Sequence, residues 1–160
     1  MRTADFWLDR YSRHRRRRLN RVLHAAAVPL AVLGLTGLLW SLPVPAPFTD
    51  ISPALNWGTA FLLAAVVYYF ILSIPLAIGL LPFVLVVTAI LGRLDGLSLD
   101  GFSPPLWQSS LTLLLAALVL QALGHLRESG RLRVFEDLHY LMIGPVWMMA
   151  GAFRRLGIPY

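Results

Sequence analysis

Charged residues are confined to a few short stretches of this 160-residue chain, and this distribution limits what it can fold into. Three long runs contain no Asp, Glu, Lys or Arg: residues 22–49, 51–92 and 101–126. A helix needs about 20 apolar residues to cross a bilayer, and the middle run is long enough for two crossings. Only 14% of all residues are charged, against about 25% in soluble domains. The pattern is therefore typical of an integral membrane protein.

Together these runs predict an all-α fold, a polytopic membrane helix bundle in which residues 1–160 form one domain. Pro75 and Gly79 mark the expected reversal between the two spans of the middle run. The last apolar run, 138–153, would form only about 24 Å of helix, so we expect a re-entrant or interfacial helix there. The four expected spans cover about residues 22–42, 57–74, 76–92 and 107–126.

A strongly basic N-terminal segment, residues 1–21, lies directly before the first span. A polybasic stretch beside an apolar span is an ordinary orientation signal, which we favour over nucleic-acid binding. A cleaved signal peptide fits less well, because its apolar region would have only about 7–15 residues. Residues 127–133 carry three Arg, whereas 43–54 carry none. We therefore predict a multi-pass protein with cytoplasmic termini, in the inner membrane of a bacterium or the endoplasmic reticulum of a eukaryote.

This topology collects polar and ionisable side chains at the cytoplasmic face. Asn20 and His24 are i, i+4 neighbours, and Gln121, His125 and Glu128 fall within about 60° of one another on a helix. Ionisable residues within a span are costly and are candidates for function, although interfacial histidines can snorkel and a Gln can hold helices together. The histidines expected at this face are His14, His24, His125 and His139.

A metal site is one interpretation of this cluster. The chain has no cysteine, which excludes thiolate ligands and disulfides. Histidine with a carboxylate suits Fe(II), Zn²⁺ or Mn²⁺, and two His with one carboxylate and open positions are typical of non-haem iron oxygenases. The spacing alone does not select one of these metals.

Two segments resemble motifs of the 2-hydroxy fatty acid dioxygenase family, which includes a fungal enzyme of phytosphingosine breakdown and many small bacterial membrane proteins. In the first, WLDRYSRHRRRRLNRVLHAAAVPL, the matching residues are Tyr11, Asn20, His24 and Pro29. In the second, QALGHLRESGRLRVFEDLHYLMIGP, they are Gln121, Gly124, His125, Glu128, Phe135, Asp137, Leu138, Gly144 and Pro145.

The chain departs from the family pattern at three positions. His14 lies six residues before Asn20, where the family has five, and one residue is about 100° of helical rotation. Arg15 occupies the usual place of that histidine. Leu132 stands where the family has Pro, and His139 stands where bacterial relatives often have Gln.

The resemblance implies an Fe(II)-dependent dioxygenase that uses molecular oxygen to shorten long-chain 2-hydroxy fatty acids by one carbon. The substrate would come from the surrounding membrane lipids, and no nucleic-acid partner is expected. The implied catalytic residues are His24, His125 and Glu128, and the implied metal ligands are His14, His24, His125 and His139. The ligands would be oriented by Asn20, Gln121 and Tyr11, and the substrate carboxylate would be paired by Arg127 and Arg131.

Other functions stay open from the residues alone. A metal- or lipid-binding accessory protein without enzymatic activity, or a small channel, would have the same spans. A di-iron enzyme of the desaturase type would need more than four histidines. A transporter would need polar residues in mid-span, and the second and third expected spans contain few: Tyr68, Tyr69, Ser73 and Thr88.

The topology predicts which sites are reachable from outside the cell. Because the chain has no cysteine, single cysteines at Ser12, Thr49 and Ser103 can be treated with an impermeant maleimide on intact cells. We expect labelling at positions 49 and 103 and none at 12. Labelling at 12 alone would invert the topology.

Overall fold

The structure is a computed structural model that describes the backbone of residues 18–101, 104–128 and 134–157. Within these ranges it describes the side chains of residues 20, 22–101, 104–124 and 144–157. This part of the chain is all-helical, as the sequence predicts. Its helices are α1 (Arg18–Trp40), α2 (Ala46–Ile51), α3 (Trp57–Leu72), α4 (Ile74–Leu99), α5 (Leu106–Glu128) and α6 (Val134–Leu156).

Among the residues with described side chains, three helical segments are long and apolar enough to cross a membrane: Val22–Trp40, Ile74–Leu99 and Leu106–Gly124. They lie within α1, α4 and α5. Helix α3 is apolar but shorter, with 16 residues, or about 24 Å. It coincides with the second of the four predicted spans. Large apolar side chains along these helices are exposed, such as Leu85 and Val119, which suits contact with lipid.

The reversal between α3 and α4 lies at Ser73, a few residues before the position predicted from Pro75 and Gly79. Ser73 is extended, with φ −166° and ψ 118°. Pro75 follows in the first turn of α4, where a missing N–H costs no hydrogen bond. Gly79 lies inside α4, and a Cβ there would be 2.7 Å from Cζ of Phe153. Gly79 therefore permits a close approach of α6 rather than a turn.

Helix ends are the features in which the structure departs most from the sequence-based prediction. Helix α4 continues to Leu99, through residues predicted as a loop, because Leu94 still packs against the cluster around Leu91. Its 26 residues make about 39 Å of helix, longer than a hydrocarbon core of about 30 Å.

Helix α2 lies between the first two predicted spans, in a segment predicted as a loop. Helix α6 has 23 residues, so the predicted 16-residue run is part of a longer helix; its position in the membrane stays a prediction.

Small residues allow α1 and α5 to pack closely in antiparallel orientation. Ala27 and Ala31 of α1 pack against Ala117 of α5. Further along, a Cβ on Gly34 would lie 2.6 Å from the backbone nitrogen of Leu114. Such backbone proximity is typical of helix pairs in membranes, where small residues replace the missing hydrophobic driving force. Because these contacts leave little room for sliding, they fix which residues of the two helices lie opposite each other.

Helix α6 packs across α1 and the hairpin formed by α3 and α4. Val146 and Ala150 are fully buried in a cluster with Tyr69 of α3 and with Leu76 and Leu80 of α4. All five side chains lie near the α3–α4 reversal. Helix α6 therefore covers the end of the bundle at which α3 ends and α4 begins.

Candidate functional site

The register of α1 and α5 brings the predicted site residues of the two motifs to one end of this helix pair. Ala27 meets Ala117, and Asn20 meets Gly124. His24 lies between the two α1 contacts, and Gln121 lies between the two α5 contacts. Residues 117, 121 and 124 share one helix face, so Gln121 faces α1 at the level of His24. We call this region the His24 end of the α1–α5 pair.

The polar side chains at the His24 end are buried. Asn20 is 3% exposed, His24 4% and Gln121 7%. Burying an amide or an imidazole costs free energy unless hydrogen bonds compensate. The spacing of Asn20 and His24 predicts that they share one helix face, and the structure confirms this. Two uncharged amides and one imidazole thus lie in the interface between two helices that are long and apolar enough to cross a membrane.

Gly124 accommodates the close approach of Asn20. A Cβ on Gly124 would collide with Oδ1 of Asn20 and would lie 3.3 Å from its Cγ. The Asn20 amide therefore lies directly against the α5 backbone, one residue before His125. This contact couples the first motif to the second and explains why Gly124 belongs to the pattern.

Trp147 of α6 forms a wall of the site that the sequence did not predict. Its ring meets that of His24 edge to face, with centroids 6.5 Å apart and an interplanar angle of 75°. Gly144, Pro145 and Val146, which precede it, are buried. The nearby Gly144-Pro145 pair of the second motif is the one local signal that could have directed attention to this turn of α6. Trp147 restricts access to the imidazole from the α6 side.

The structure tests only part of the predicted site. Helix α5 is helical through Glu128, so positions 121, 125 and 128 share a face as predicted. Tyr11, His14 and Arg131 lie outside the described residues. The remaining predicted residues lie on helices whose backbone is described, but their side chains are outside the described set: His125, Arg127, Glu128 and His139.

Among the described side chains at this site, His24 is the one that suits a metal ligand. Among them, no group of three or more His, Cys, Asp or Glu residues is placed to hold a metal ion. His24 offers a buried imidazole, and the amides of Asn20 and Gln121 can orient neighbouring groups without adding charge. Any further ligand would have to come from residues whose side chains are not described. His125 follows directly after Gly124, whose backbone lies against Asn20.

Comparison with known proteins identifies one family. The family model described as 2-hydroxy-palmitic acid dioxygenase Mpo1-like matches residues 1–156. That range includes both motifs and all six of the described helices. No curated protein and no solved structure matches the chain.

The contact between Asn20 and Gly124 predicts a large penalty for one methyl group. Gly124→Ala should destabilise the protein by about 1–3 kcal/mol, because the helices must separate or Asn20 must move. Thermal unfolding in detergent measures the effect. In an Asn20→Ala background the penalty should shrink, since the colliding atoms are gone.

Gly92→Ala is the matched control for this substitution. It adds the same methyl group inside α4, where nothing lies within 4 Å of the added atom. It should be neutral or stabilise the helix by about 0.5–1 kcal/mol. Equal effects of the two substitutions would contradict the close contact.

Proposed function

Because the chain belongs to the Mpo1-like family, whose model covers residues 1–156, we propose that it is a membrane-embedded, Fe(II)-dependent dioxygenase. It acts on long-chain 2-hydroxy fatty acids and releases fatty acids one carbon shorter. One 2-hydroxy fatty acid and one O₂ give the shortened fatty acid, CO₂ and water, which accounts for all atoms of the reactants. The family match supports the substrate class, and the resemblance of the two motifs supports the iron.

The observation that carries the proposal is the burial of His24 with Asn20 and Gln121 where α1 and α5 cross. These residues come from two motifs about 100 residues apart, and the helix register brings them to one level. An imidazole between two oriented amides is the kind of environment that holds a metal ligand in one tautomer. His125, next to the Gly124 contact, would supply the second imidazole.

The proposed site suits a substrate with a polar head and an apolar tail. Three helical segments are long and apolar enough to cross a membrane, so a fatty acid can reach the protein through the lipid phase. Its head would lie at the interface, where Arg127 and Arg131 would pair with the carboxylate. We place this interface on the cytoplasmic side, in keeping with the Arg distribution.

Each residue has a distinct part in the proposed chemistry. Bound Fe(II) would supply open coordination positions that activate oxygen beside a chelating 2-hydroxycarboxylate. His24 and His125 would hold the metal, with His14, His139 and Glu128 as further candidates. Asn20 and Gln121 would fix the orientation of the imidazoles through hydrogen bonds. Trp147 would exclude water from the face of His24 that it covers.

The metal content tests the site directly. We expect about one Fe per chain after anaerobic purification, or Zn or Ni in its place after aerobic purification, since imidazole sites follow metal availability as well as affinity. His24→Ala and His125→Ala should each lose most of it, and Arg15→Ala should keep it. Metal analysis of membrane-extracted, folded protein gives the result, and full retention in both histidine variants would remove the site.

The products test the reaction. Protein reconstituted with Fe(II) and ascorbate under air should convert an even-chain 2-hydroxy fatty acid into the odd-chain acid one carbon shorter, as measured by mass spectrometry. The acid without the hydroxyl group should be inert, because it lacks the second chelating oxygen. Glu128→Ala should slow turnover.

Two controls separate the alternatives. Omitting oxygen should abolish the product if the reaction is a dioxygenation. If the protein retains its metal but forms no odd-chain product, it is better explained as a metal- or lipid-binding accessory protein.

A further inference from the structure

An apolar slot lies between α1, α3 and α4, and Pro145 of α6 also lines it. Its cavity volume is about 30 Å³, and the empty space reaches about 420 Å³ when its open side is counted. The lining is apolar except for the phenol group of Tyr69. Because its enclosed part is small and its lining is apolar, the slot suits a thin apolar chain that lies partly in its open part, rather than a compact or polar ligand.

The slot shares two walls with the surroundings of His24. On α1, His24, Val28 and Val32 are spaced four residues apart and lie on one face of the helix; Val32 lines the slot. On α6, Pro145 lines the slot, and Trp147 contacts the His24 ring. The slot therefore begins about two helical turns along α1 from His24, and the buried Val28 lies between them.

The helix directions show which end of the slot is near His24. A Cβ on Gly58, at the start of α3, would lie 2.8 Å from the carbonyl oxygen of Thr36, so α3 runs antiparallel to α1. Phe61 of α3 therefore lies near Leu35, at the far end of the slot. Tyr69, eight residues later, lies about 12 Å closer to the His24 end.

The distance along α1 from His24 to the far end of the slot matches the length of an acyl chain. From His24 to Leu35 the α1 axis rises about 17 Å. An acyl chain within one leaflet spans about 15 Å, half of a hydrocarbon core of about 30 Å. We propose, on the basis of the proposed function, that this slot binds the acyl chain of the 2-hydroxy fatty acid and that Ala65 and Phe61 set the accepted chain length.

Ala65 is the residue to substitute because it is small, buried and part of the slot wall. Ala65→Phe should block the slot midway and lower kcat/KM for a C16 substrate about tenfold or more relative to a C8 substrate. Phe61→Ala should move the preference towards longer chains. If Ala65→Phe does not fold, Ala65→Leu should give a smaller change in the same ratio.

Ala64→Phe is the matched control, since Ala64 is the neighbouring alanine and is exposed. It should leave the ratio of C16 to C8 turnover unchanged. Equal ratios for the Ala64 and Ala65 variants, with wild-type turnover intact, would overturn the slot and leave the dioxygenase proposal in place.

A photoreactive 2-hydroxy fatty acid with a diazirine near its methyl end tests binding without turnover. In wild-type protein reconstituted into vesicles, adducts should map to Phe61, Leu62 and Leu35. Adducts confined to the exposed Leu63 and Val67 would overturn the slot. Equal labelling of the slot by a photoreactive phospholipid would overturn its assignment to the substrate. Adducts in the slot without any oxidised product would instead overturn the proposed reaction and retain the slot.

Discussion

The close antiparallel contact of α1 and α5 determines the position of every described site residue on these two helices. It depends on small residues: Ala27, Ala31 and Ala117 form its centre, and Gly34 brings α1 within backbone contact of α5. In a bilayer, apolar side chains gain little by leaving lipid, so the fit between backbones contributes most of the association. Once the centre is fixed, Asn20 must meet Gly124, and His24 must lie at the level of Gln121. The packing of two long apolar helices therefore assembles a polar cluster from segments distant in sequence.

The sequence predicts the helices well and their ends poorly. Charge-free runs mark where a helix can lie in lipid, and each predicted span coincides with part of a helix. The ends are set by other forces. Helix α4 passes beyond Arg93 and Asp95 because charged residues, unlike Pro, do not break a helix, and Leu94 still has apolar partners. The reversal lies at Ser73, close to Pro75, where the two expected spans meet. Gly79 takes no part in it, and a glycine that permits a helix contact looks, in sequence, like a glycine that permits a turn.

The sequence likewise predicts some residues of the candidate site and not others. The helical spacing of the polar residues identifies Asn20, His24 and Gln121 as candidates, and the resemblance to the second motif adds Gly124. Trp147 is not identified in this way, because its contact with His24 depends on how α6 packs against α1. The pattern of apolar residues within one helix does not show how that helix packs against another. Tyr69, one of the few polar residues in mid-span, is buried among apolar neighbours. The slot that it lines is formed jointly by α1, α3, α4 and Pro145 of α6, so no single segment of the sequence predicts it.

Packing alone does not account for the side chains at the His24 end. At the other end of α1, the buried hydroxyls of Thr36 and Ser110 have no hydrogen-bond partner within the described part of the chain. Ser110 lies against Gly37, where its small size is what the close approach of the helices requires. Asn20, His24 and Gln121 are larger than such an interface needs, and burying their polar atoms costs free energy unless hydrogen bonds compensate. Amides and an imidazole can also orient and bind a ligand, and on this basis we propose the chemistry at this end.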